Sequence, residues 1–153
     1  MKGRAPSGVG RVFVAVLLVM SKAAFAQTIA VSGSPGLMHI TGAVSGSNPT
    51  SVTNSVTTYT VVTNSPNHTY KITAQLNANM PAGLTLTATF APVTGATSAG
   101  AVNLDITARD VVTGIPRRIN ETQGITYQFN AAPAAGVVPV TSRTVTLTIL
   151  QFP

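Results

Sequence analysis

The chain has no cysteine, no tryptophan and only three acidic residues in 153. Without cysteine there is no disulfide, no thiol nucleophile and no lipidated N-terminal cysteine, so the stability of a folded domain must come from packing, strand pairing or a partner chain. Ionisable chemistry is equally sparse: His39 and His68 are the only imidazoles, and Asp105, Asp110 and Glu121 are the only acids. No G-x-S-x-G nucleophile turn is present to organise a serine triad. Asp105 and Asp110 lie five apart on one expected strand, over Val102 to Val112, which sends their side chains to opposite faces. Glu121, expected in a loop, and Asp110 do not make a D-x-D-x-D calcium loop. These shortages argue against an enzyme, and no cofactor or metal is expected. What abounds instead is Thr, Ser, Asn and Gly, with charged residues at 8%. Uncharged hydroxyls of this kind suit the solvent faces of strands.

The first 26 residues carry a basic head (Lys2, Arg4, Arg11), an apolar run from Val12 to Met20 and the small-residue box Ala24-Phe25-Ala26. That order is the one a secretory signal peptide needs, with cleavage expected after Ala26. The apolar run is well short of the roughly 20 residues that span a bilayer, so no transmembrane segment is expected after cleavage. Four of the nine basic residues leave with the signal, while Lys71, Arg109, Arg117, Arg118 and Arg143 remain against the three acids. The high isoelectric point thus belongs mainly to the export signal. A nucleic-acid partner is not expected, because the only basic cluster is the pair Arg117-Arg118.

Residues 27–153 are long enough for one domain with its own core. Apolar and polar side chains alternate with period two in Tyr70 to Leu76, Leu84 to Phe90, Ile125 to Phe129 and Val145 to Ile149, the pattern of half-buried antiparallel strands. Weaker strand candidates are Ile29 to Val31, Met38 to Val44, Val52 to Val62 and Val102 to Val112. The segment Ser45 to Thr58 reads equally as a loop or an edge strand. Breakers separate these runs, among them Ser34-Pro35-Gly36, Asn64-Ser65-Pro66-Asn67, Met80-Pro81-Ala82-Gly83 and Gly114-Ile115-Pro116. Seven to eight short strands at such spacing predict an all-β, Ig-like antiparallel sandwich, with a small closed barrel as the alternative. Its expected core comprises Ile72, Leu76, Leu84, Leu86, Phe90, Leu104, Ile106, Tyr127, Phe129, Val145, Leu147 and Ile149. The organisation expected is a signal at 1–26, an N-terminal strand or extension at 27–36 and a sandwich at 37–153.

Both ends of the exported chain are strand-like. Gln27 to Ser34 is a brief alternating segment set off by Ser34-Pro35-Gly36, and Val145 to Ile149 closes the body on a strong strand. This layout resembles the bacterial pilin-like subunits that assemble by donor-strand exchange, and more loosely the spore-coat-U-like surface sandwiches. The resemblance implies a domain lacking one strand, completed by the N-terminal segment of the next subunit and covered in transit by a periplasmic chaperone. Carried over to this chain, it makes Ile29, Val31 and Gly33 donor positions and Val145, Leu147 and Ile149 the lining of the acceptor groove. The cystine of many such pilins is absent, and the donor segment has few large apolar residues.

The function expected is a secreted structural or adhesive surface subunit that associates with itself or with other surface subunits. The alternative is a monomeric extracellular module that binds a polysaccharide or a protein. Arg117 and Arg118 are a candidate surface contact for anionic sugars or a neighbour's carboxylates, set against a plain role in solubility.

Overall fold

A computed structural model describes residues 27–40, 49–135 and 139–152. The signal peptide and the segment 41–48, which includes most of the expected strand Met38 to Val44, lie outside the described residues. Of that strand, residues 38–40 are irregular.

The described chain is all-β, with nine strands: β1 (Thr28–Ser32), β2 (Val52–Val62), β3 (Thr69–Leu76), β4 (Leu84–Phe90), β5 (Thr97–Ser98), β6 (Ala101–Asn103), β7 (Arg109–Ile115), β8 (Asn120–Ala131) and β9 (Val145–Phe152). A single 3-10 turn at Pro133–Ala135 follows β8. The strands form two antiparallel sheets, one ordered β1-β2-β8-β4-β6 and the other β5-β7-β3-β9. Alternation drives the pairing, because each strand has one apolar row to bury and the two sheets bury their rows against each other. Two separate sheets, rather than one closed sheet, make a sandwich and not a barrel.

The core draws on both sheets. Ile29, Tyr59, Val61, Ala88, Phe90, Ile125 and Tyr127 come from the five-stranded sheet, and Tyr70, Ile72, Ala74, Leu76, Val111, Val112, Ile115, Val145 and Leu147 from the four-stranded one. At its centre the Tyr59 and Phe90 rings meet edge to face at 5.7 Å, a geometry favoured by their quadrupoles. The Tyr59 hydroxyl donates to the Ala91 carbonyl at 2.5 Å, so the polar tip of a buried ring has a partner.

Three places depart from the sequence pattern, each for a local reason. The expected strand Val102 to Val112 is two strands in different sheets, β6 and β7. Between them the Asp105 carboxylate accepts from the Thr107 N–H at 2.7 Å, an Asx turn that moves the chain from one sheet to the other. Ile106, expected in the core, is 56% exposed because it sits on that turn. Val111 and Val112 are both fully buried although adjacent, because the β3–β7 register slips twice. A bulge gives two residues to one on the partner, and Gly114, at φ +68°, supplies the left-handed residue at the second slip. Finally, the polar stretch Val52 to Thr58 is strand and not loop: it pairs with β8, while β1 flanks β2 only from Thr58 to Val62, so among the described residues Val52 to Thr57 has the character of an edge.

Candidate functional site

A sheet has two outer edges, and each presents unpaired backbone donors and acceptors to whatever lies beside it. Three of the four edges here are short: β1 has five residues, β5 two and β6 three. The fourth, β9, has eight. It pairs with β3 from Thr69 opposite Phe152 to Leu76 opposite Val145 without a register slip. Among the described residues no strand pairs with its other side.

All four outer strands lack charge, proline and glycine, so it is length that sets β9 apart. Val145 to Phe152 contains no charged residue, no proline and no glycine, and these are the devices by which natural edge strands discourage pairing with other chains. Val145 and Leu147 are buried and Ile149 packs against the core. Thr146, Thr148, Leu150 and Phe152 alternate onto the outer face, where Leu150 is 42% exposed. The Lys71 ammonium stands 6.0 Å from the centre of the Phe152 ring, within cation–π range.

Both ends of β9 are anchored by side chains. The Arg143 guanidinium donates to the Asn79 carbonyl at 2.9 and 2.7 Å and to the Ser142 carbonyl at 2.8 Å. The Asn77 side chain accepts from the Thr144 N–H at 3.0 Å. At the far end, Gln151 Nε2 and His68 Nδ1 are 2.6 Å apart, and the Thr69 hydroxyl donates to the Phe152 carbonyl at 3.4 Å. The edge is therefore long, straight and fixed in place.

The three residues expected to form an acceptor lining, Val145, Leu147 and Ile149, thus share the inward row of an edge strand. The three expected donors lie elsewhere in the same chain. Ile29 stands opposite Val61 and Val31 opposite Tyr59 in the β1–β2 ladder. Ile29 is buried and Val31 packs against the core. Gly33 follows directly at φ +77°, with its backbone so close to β2 that a Cβ would stand 2.5 Å from the Val56 carbonyl oxygen. In the free chain the N-terminal segment is consequently part of its own sandwich, packed near β9 across the seam between the sheets.

Arg117 and Arg118 have separate roles in the β7–β8 loop. Arg117 Nη1 donates to the Pro66 carbonyl and ties this loop to the β2–β3 loop. Arg118 is exposed and is the one non-glycine among the described residues with a left-handed backbone, at φ +59°.

The acids are all engaged in structural bonds. Asp105 meets Arg109 at 2.5 Å and Asp110 meets Lys71 at 3.0 Å. Glu121 lies in β8 and not in a loop, and its carboxylate accepts from the Thr94 N–H at 2.8 Å. The hydrogen bond from Arg109, then that from the Thr107 backbone, holds the Asp105 carboxyl below its ordinary pKa. The Thr94 N–H does the same for Glu121. Asp110 and Glu121 are held in different sheets by these bonds and do not converge. Among the described residues no three His, Asp or Glu side chains gather in one place.

Charge is also unevenly spread. Alternation places Thr58 and Thr60 of β2, Thr122 and Thr126 of β8, and Thr85, Thr87 and Thr89 of β4 on the outer face of the five-stranded sheet. The Thr60 and Thr122 hydroxyls are hydrogen-bonded across strands at 2.7 Å. Lys71 and Asp110 pair on the outer face of the other sheet. The free edge of β9 could not be read from the sequence, because alternation reveals which side of a strand is buried but not which neighbours flank it.

No family model, no curated protein and no solved structure matches this chain.

Proposed function

We propose that this protein is an exported, non-catalytic subunit of the cell surface, structural or adhesive, that assembles by adding a strand from another chain to the outer edge of β9. The observation that carries this is the edge itself, eight residues long, unbroken in register and free of charge, proline and glycine. Strand addition draws affinity from main-chain hydrogen bonds and specificity from alternate side chains. Among the described residues the outer side of β9 is unpaired, beside the inward row Val145, Leu147 and Ile149. The engagement of every acid in a structural bond fits a protein that works by packing and not by proton transfer. Export follows from the basic, apolar and small-residue order of the first 26 residues. A periplasmic chaperone that covers β9 in transit belongs to the same scheme, since so exposed an edge invites aggregation.

In the strictly pilin-like form of this scheme the added strand is a neighbour's Ile29, Val31 and Gly33. Because those residues complete their own sheet, donation requires β1 to leave β2. The burial of Ile29 within its own sandwich favours one second function, a self-contained extracellular module that binds a polysaccharide or protein through its loops, with Arg118 as a surface contact.

Cell fractionation tests the proposal. The protein recovered from the envelope should begin at Gln27 on N-terminal sequencing and should be reached by antibody on intact cells. A full-length chain confined to the cytoplasm would overturn it.

A further inference from the structure

The proposed function leaves the identity of the added strand open, and the pattern of β9 restricts it. Within one copy, β1 is already paired to β2 with Ile29 buried, so recruiting it costs the contacts it makes at home. Among the described residues no strand occupies the outer side of β9, so no pairing has to be broken there. Two copies of an edge strand pair antiparallel about a two-fold axis when their inward and outward rows coincide. Residues directly opposite one another point to the same face, so the two rows match only if the axis passes through a residue. An axis at the Thr148 pair opposes Val145 to Gln151 of one copy to Gln151 to Val145 of the other and leaves only Phe152 of each strand outside the ladder.

In that register Thr148 faces its own copy, Leu147 faces Ile149, Thr146 faces Leu150 and Val145 faces Gln151. Leu147 and Ile149 meet on the core side, and on the outer side Thr148 meets its copy between two Thr146–Leu150 pairs. No like charges are opposed, because the strand carries none. Thr–Thr and aliphatic cross-strand pairs are both favourable partners. We infer that the partner of the β9 edge is the β9 edge of a second copy, which joins the two four-stranded sheets into one continuous sheet across a two-fold axis. This inference rests on the proposal that β9 accepts a strand, and it replaces a neighbour's β1 with a neighbour's β9 as that strand.

The absence of cysteine makes the test direct, because any thiol introduced is unique in the chain. Opposed residues in an antiparallel pair have Cα atoms about 4.5–5.5 Å apart, which lies within the span a disulfide bridges. Thr146→Cys, Thr148→Cys, Leu150→Cys, Ala30→Cys and a control, Thr58→Cys, are made in the secreted full-length protein, checked for native far-UV dichroism, mildly oxidised and run on non-reducing gels. Thr148→Cys should link to itself. Thr146→Cys and Leu150→Cys should link when mixed, and more efficiently than either alone. Thr58→Cys should stay monomeric.

Links between Thr148→Cys and Ala30→Cys, without Thr148→Cys homodimers, would overturn the β9–β9 pairing while leaving strand addition at β9 intact. Equal linking at all positions, the control included, would be random collision and would overturn it too. No links at any position, with a monomer mass at every concentration, would overturn both the pairing and the proposal beneath it.

Discussion

Thr57 is 2% exposed, and its hydroxyl has no hydrogen-bond partner among the described residues. A buried hydroxyl without a partner is a cost, so the near-isosteric Thr57→Val should raise stability by about 1 kcal/mol in urea titrations. Leu147 and Leu86 distinguish buried from half-buried apolar sites in the same test. Leu147→Ala should lose about 2–5 kcal/mol, and Leu86→Ala less, since Leu86 only flanks the core. The two buried phenols add a pH dependence. Burial, and for Tyr59 also the nearby Glu121 charge, pushes Tyr59 and Tyr127 up to about 12 from an ordinary value of 10.0. Above pH 10 the folded chain therefore holds protons that the unfolded chain has released. Their contribution to stability is complete below pH 10 and is lost as pH rises through about 12. Urea midpoints measured across that interval should fall, and Tyr59→Phe and Tyr127→Phe should each flatten the fall.

Among the elements, β3, β4, β8 and β9 are legible in the sequence because their alternation is strict. β2 is harder to read, since the bulge at Ser55–Val56 breaks its alternation. There the Asn54 side chain accepts from the Val56 N–H at 3.1 Å and donates to the Pro35 carbonyl at 2.9 Å, which ties the bulge to the segment after β1. Gly33 sits against the same bulge. Gly33→Ala introduces both a left-handed strain and a clash with Val56, and should lower stability by about 1–3 kcal/mol. The β6–β7 crossing illustrates a different limit. Its direction depends on one Asx turn at Asp105, which periodicity cannot register. Val145, Leu147 and Ile149 are recognisable in the sequence as one inward row, whereas the pairing of Ile29 and Val31 with their own β2 depends on tertiary packing that no local pattern encodes.

At the scale of the whole molecule, three outer strands have two to five residues and the fourth, β9, has eight, with no strand paired to its outer side among the described residues. The long edge is fixed at both ends by Arg143, Asn77 and His68. Order of this kind favours a partner strand, because little conformational freedom remains to be lost on pairing. Lysine on an edge strand opposes such pairing without disturbing the buried face. The most direct test is sedimentation of the protein over the micromolar range, wild type against the double variant Thr146→Lys, Thr148→Lys. A concentration-dependent multimer for the wild type and a folded monomer for the variant is the result expected; a wild type that stays monomeric throughout, or a variant that assembles as well as the wild type, would contradict strand addition at β9.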